Sequence, residues 1–187
     1  GSITKQFTAA AIMKLEMQGK LKTDDTIDKF LDNVPADKAK VTIHQLLTHT
    51  AGFPEYSGPD HQISGRDETI KRILDTPLDF APGTSYSYSN AGYSFLAGVV
   101  EKASGLDYET YLNTHLFKPA GMMRTGYVLP KYKKSTLPRG YVENEDKATA
   151  LDHPWSPKGP YWNLLGNGGI LSTIDDMFKW YQALQSD

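Results

Sequence analysis

Ser2 and Lys5 are the residues whose types and spacing most directly suggest chemistry. Three positions apart on a helix, their side chains share one face. A serine hydroxyl is a weak nucleophile at neutral pH and needs a base. A lysine amine can be that base when burial or nearby positive charge favours its neutral form. A helix N-terminus also favours negative charge developing beside Ser2. Taken alone, the pair has plain readings too. Ser2 is a good helix cap, an exposed Lys5 needs no function, and Gly1-Ser2 matches a tag remnant.

Tyr88-Ser89-Asn90 is the second group with chemical capacity. It follows a Pro82-Gly83 turn and precedes a helical pattern, which places it on a loop. A tyrosine hydroxyl there can shuttle protons, and an asparagine amide can hold a substrate carbonyl. Tyr111-x-Asn113 and Tyr161-x-Asn163 share the spacing, so only context selects Tyr88 and Asn90. His44 and His49 are five apart and do not stack on one helical face. With no His-Glu-x-x-His pattern, they read as structural, one of them bonding a helix end. Trp155, Tyr161 and Trp162 either line a substrate cleft or pack a loop.

Helices must position these groups. Ser2 is expected to cap a first helix carrying Ile3, Phe7, Ala11, Ile12 and Leu15 and stopped by Gly19. A turn and short helix follow over 21–31. Thr42 caps a segment from Ile43 to Thr48, ended by Gly52 and Pro54. Residues 55–66 read as an exposed loop and 68–75 as a short helix. Ala91 to Ser104 is a helix stopped by Gly105, and Tyr108 to Phe117 another, ended by Pro119 and Gly121. Residues 126–163 are aromatic, rich in proline and weakly periodic, hence mostly loop. A last helix starts near Ser172-Thr173 and runs through Met177, Trp180 and Leu184. Strand patterns are nearly absent, with short candidates at 140–142 and 169–171.

The composition is that of a soluble globular chain with a sizeable core. Its net charge of -2 gives no reason to expect nucleic acid or an anionic membrane as partner. No apolar run reaches the ~18 residues of a membrane span. The absence of cysteine excludes disulfides, a cysteine nucleophile and cysteine-based zinc sites. No signal-peptide pattern opens the sequence.

Five segments carry a family resemblance. They are Gly1-Ser2-Ile3-Thr4-Lys5-Gln6-Phe7, Thr42 to Gly52, Pro82-Gly83 through Tyr88-Ser89-Asn90 to Gly98, Leu116 to Met122, and Gly168 to Thr173 with Asp175-Asp176. In this order they resemble the class C β-lactamase and penicillin-binding-protein family, which includes DD-peptidases, D-amino-acid peptidases and esterases. The resemblance covers most of the chain, apart from roughly 53–80 and 126–163, and serine commonly stands where this chain has Ala51.

The resemblance implies a serine hydrolase working through an acyl-enzyme. Ser2 is its nucleophile, Lys5 the activating partner, Tyr88 a second acid/base group, and Asn90 an orienting group for substrate and Lys5. It implies no metal or organic cofactor, and a small-molecule or peptide substrate with an amide, β-lactam or ester carbonyl. Export to the periplasm or cell exterior fits the family.

The family's third motif, Lys-Ser/Thr-Gly or His-x-Gly, occurs nowhere in this sequence. The expected fold class is therefore mainly α: residues 1–187 are a single helical segment of an α/β fold, with most of the central antiparallel sheet missing and the chain truncated at both ends. On that expectation the isolated chain is inactive, although its parent is an enzyme, and it self-associates through apolar surface. The alternative is a non-catalytic helical binding or interaction module that keeps the family's helices.

Overall fold

Eleven consecutive residues from Asn90 to Val100 are buried, which makes their helix the axis of the structure rather than a surface element. In the computed structural model, which describes residues 1–60, 62–152 and 160–185, this helix (α4, Asn90–Ser104) packs against four others. They are α1 (Thr4–Met17), α2 (Ile43–Leu47), α3 (Arg66–Asp75) and α5 (Tyr108–Leu112). The last helix is α6 (Ile174–Gln185).

Local chemistry accounts for most boundaries. Ser89 caps α4 by accepting the Gly92 N–H at 2.9 Å, and Gly105 ends the helix at φ +74°. Thr42 and Gln45 form a reciprocal capping box on α2. The Thr173 hydroxyl accepts the Asp176 N–H at 3.2 Å at the start of α6. The expected helix from Tyr108 to Phe117 changes character midway. α5 passes into a π-helical turn over Asn113–Phe117, which seats Phe117 edge-on against Phe7 at 5.1 Å. Trp180 of α6 packs on the other side of Phe7, also at 5.1 Å.

The expected Ser2 cap does not form. The cap position of α1 is Ile3, without a side-chain bond, because the Gly1 and Ser2 carbonyls already take the N–H groups of Thr4 and Lys5. The Ser2 hydroxyl is left for other partners.

The described residues of the stretch 126–163, namely 126–152 and 160–163, are mostly loop, with one short hairpin and single 3₁₀ turns. Strands β1 (Tyr141–Val142) and β2 (Glu145–Asp146) form a two-residue hairpin. Its turn residues, Glu143 and Asn144, both have positive φ, as a primed turn requires. Near its start, the buried Glu109 carboxylate accepts the N–H groups of Tyr127, Val128 and Leu129 at 2.6, 2.9 and 3.0 Å. That shared oxygen fixes the chain as it leaves the helical core. The only other ladder-like contacts among the described residues are single bridges, Thr26 with Thr42 and Gly126 with Leu171. Among the described residues, no helix is long and apolar enough to cross a membrane.

Candidate active site

The four residues singled out by sequence meet at one point. Packing of α1 against α4 brings Lys5, the second residue of the first helix, to Asn90, the first residue of the other. Lys5 Nζ lies 2.6 Å from Asn90 Oδ1 and 3.2 Å from Ser2 Oγ. Tyr88 Oη lies 2.7 Å from Ser2 Oγ. Ser2 is exposed and Lys5 buried, so the hydroxyl faces solvent while its partner does not.

The Lys5 amine has a third partner that sequence reasoning missed. Its Nζ lies 2.9 Å from the carbonyl oxygen of Asn167. A backbone acceptor has no side-chain signature, but the residues that hold it do. Asn167 is buried and donates its amide to Ser94 Oγ at 2.9 Å and to the Asn163 carbonyl at 2.6 Å. Thr8 donates to the Gly166 carbonyl at 2.6 Å, tying the same turn to α1. Gly166 adopts φ +84°, and a Cβ there would meet the Tyr93 carbonyl oxygen at 2.6 Å.

Ser2 Oγ, Asn90 Oδ1 and Asn167 O offer Lys5 Nζ three acceptors, which match the three N–H bonds of an ammonium, and a neutral amine fits the same positions. Two carbonyl oxygens, Asn90 Oδ1 and Asn167 O, can accept the two N–H bonds of a deprotonated Lys5. Its lone pair then points to the Ser2 hydroxyl, which can donate to it while accepting from Tyr88 Oη. Burial lowers the Lys5 pKa from its ordinary 10.5, and the Tyr88 hydroxyl, Asp60 and Glu55 pull it partly back. The Lys5 Nζ also stands 4.8 Å from the Tyr88 ring centroid and 5.5 Å from that of Tyr93.

The loop carrying Tyr88 is clamped by the residues after α2. The His49 carbonyl accepts the Ser87 N–H at 3.0 Å, and the Glu55 carbonyl accepts that of Asn90 at 2.8 Å. The Ser89 hydroxyl donates to the Pro54 carbonyl at 2.8 Å. His49 is thus in the site's wall rather than only at a helix end, while His44 stays on the exposed face of α2. Among the described residues, no cluster of three or more His, Asp or Glu is placed to hold a metal ion. Tyr161 and Trp162 line a separate cavity of about 560 Å³, together with Glu101 and Tyr108. Trp155 lies outside the described residues.

Comparison with known proteins gives the same direction throughout. A family model described as Beta-lactamase matches residues 1–187. Penicillin-binding protein 4* of Bacillus subtilis is 31% identical over 211 residues, covering 100% of this chain and 44% of that protein. The structure of an octameric penicillin-binding protein homologue from Pyrococcus abyssi superposes with TM-score 0.77 at 32% identity, covering 100% of this chain and 45% of that one. A beta-lactamase/D-alanine carboxypeptidase from Yersinia pestis, complexed with citrate, gives TM-score 0.72 at 25% identity, covering 97% and 52%. The chain thus spans about half the length of the relatives it matches, or less.

Proposed function

The chain belongs to the beta-lactamase family, and from that premise we propose that it carries the nucleophile segment of a serine hydrolase working through an acyl-enzyme. One observation carries this reading: Lys5 Nζ and Tyr88 Oη both converge on the exposed Ser2 Oγ, at 3.2 and 2.7 Å.

Ser2 Oγ attacks the substrate carbonyl carbon as its proton passes to Lys5 Nζ. The carbonyl π electrons move to oxygen and give a tetrahedral oxyanion. The oxyanion collapses, the bond to the leaving nitrogen or oxygen breaks, and Tyr88 Oη protonates the leaving group while recovering a proton from Lys5. Water then attacks the acyl-enzyme, gives its proton to the same pair, and releases the acid and the Ser2 hydroxyl. Asn90 holds Lys5 through its Oδ1, and its amide, one N–H of which bears on the Tyr56 hydroxyl, has a second N–H to offer a substrate carbonyl.

The substrate class is an amide, β-lactam or ester carbonyl. The penicillin-binding and D-alanine carboxypeptidase names of the relatives favour β-lactams and D-amino-acid peptides within it. The chain covers 44% to 52% of the length of the three relatives compared above. Residues 1–187 are accordingly a single helical unit that works together with further polypeptide. Ile174, Phe178, Tyr181 and Leu184, spaced along one face of α6, are 56–87% exposed and offer an apolar surface for that polypeptide or for a second copy.

The test is time-resolved intact-mass analysis with a penicillin and with an activated ester. Opening a β-lactam leaves its nitrogen tethered, so the adduct on Ser2 carries the mass of the whole drug. An ester leaves only its acyl group. Both adducts should vanish in Ser2→Ala. Adducts that persist in Ser2→Ala would place the nucleophile elsewhere.

A further inference from the structure

The loop that carries Tyr88 to Ser2 is held by Pro54 and Glu55 from one segment, and His49 alone bonds the backbone amides on both sides of Tyr88. The His49 carbonyl accepts the Ser87 N–H at 3.0 Å, and its ring Nδ1 accepts the Ser89 N–H at 3.1 Å. The ring also lies 4.5 Å from the Tyr88 ring and 5.1 Å from that of Tyr93, each tilted by 33°. Tyr93 is in turn anchored by its hydroxyl to the Leu47 carbonyl at 3.1 Å. His49 itself has φ +59°, in the left-handed region where asparagine, aspartate and histidine are the most frequent non-glycine residues. A residue whose carbonyl and ring nitrogen bond the amides on either side of Tyr88 is a positioning device.

We propose that His49 is a positioning residue for the serine-hydrolase chemistry above: its neutral ring, unprotonated at Nδ1, fixes Tyr88 against Ser2, and protonation of Nδ1 releases it. The inference rests on the Ser2 reading. A protonated Nδ1 becomes a donor facing the Ser89 N–H, itself a donor, so the hydrogen bond is replaced by repulsion. The groups facing the imidazole are Lys5 from α1, Tyr93 from α4, and Tyr86 and Tyr88 from the clamped loop. Burial first, and the Lys5 charge second, hold the His49 pKa below its ordinary 6.5. The neutral form therefore prevails at neutral pH, and the device acts on the acid side.

His49→Asn and His49→Gly separate this role from folding, because both tolerate the positive φ. Asparagine keeps an acceptor near the Nδ1 position, and glycine removes it. The readout is the rate of Ser2 phosphonylation by a fluorophosphonate as a function of pH, with circular dichroism confirming the fold. His49→Gly should slow labelling by about 10- to 100-fold, the cost of a misplaced catalytic group. His49→Asn should recover most of that loss. In the wild type the rate should fall more steeply below the His49 pKa than titration of Lys5 alone explains, and His49→Asn should lack the extra steepness. Equal labelling of wild type and His49→Gly would overturn the proposal while leaving the Ser2 reading intact. If the wild type does not label at all, that reading fails, and nitrogen-15 NMR decides the inference. A Ser89 amide signal moving with the His49 midpoint supports it, and a ring protonated at Nδ1 at neutral pH overturns it.

Discussion

Replacing Asn90 with aspartate tests which group takes the Ser2 proton. The substitution is nearly isosteric and sets a carboxylate where Asn90 Oδ1 now lies, 2.6 Å from Lys5 Nζ. Two unit charges ~3 Å apart at an effective dielectric of ~20 attract by about 5 kcal/mol. Desolvation of the new carboxylate offsets part of this, leaving a rise of ~1–3 units in the Lys5 pKa. The sign is definite: an added negative charge favours the ammonium, opposing the burial that now lowers the Lys5 pKa. At a fixed pH below both values, the neutral fraction falls ~10- to 1000-fold, equivalent to ~1.4–4 kcal/mol. If neutral Lys5 is the base, fluorophosphonate labelling slows by that factor at every pH below both Lys5 pKa values. The deficit closes as pH rises through those values, because the whole rate profile has moved up by the same number of units. An equal slowing at every pH would mean that Asn90 acts through geometry alone. No slowing would refute Lys5 as the base and leave Tyr88 in that role.

Two further outcomes follow from the same geometry. Gly166→Ala forces a Cβ to within 2.6 Å of the Tyr93 carbonyl oxygen at φ +84°. It should lower stability in urea by about 2–3 kcal/mol and slow Ser2 labelling as the Asn167 carbonyl withdraws from Lys5. A stable, fully reactive variant would show that the Asn167 turn does not set the site. The chain should also self-associate through the apolar face of α6, with gel-filtration elution depending on concentration and Phe178→Glu shifting it towards monomer. A wild-type monomer at all concentrations would contradict that use of the face.

Much of this was legible in the residues. Ser89 and Gly105 bracket α4 because one supplies a side-chain acceptor for the first turn and the other tolerates a left-handed backbone. Thr42 with Gln45, and Thr173 before Asp175, mark helix starts for the same reason. Ser2, Lys5, Tyr88 and Asn90 were found by side-chain chemistry and motif order. Their convergence was not, because it spans 85 positions and depends on how α1 crosses α4. The Asn167 carbonyl has no residue-type signal at all. His49 reads as structural from sequence because its spacing of five from His44 gives no shared helical face, and its bonds to Ser87 and Ser89 span about 40 positions. The hairpin at 141–146 turns on Glu143 at positive φ, which propensity disfavours.

The most direct measurement is intact-mass analysis of the chain after exposure to a fluorophosphonate, with peptide mapping and Ser2→Ala as control. Activation of Ser2 by Lys5 and Tyr88 needs only groups this chain contains, so the account predicts a single phosphonyl adduct on Ser2 that is lost in Ser2→Ala. A folded chain that stays unmodified, or an adduct that survives in Ser2→Ala, would contradict it.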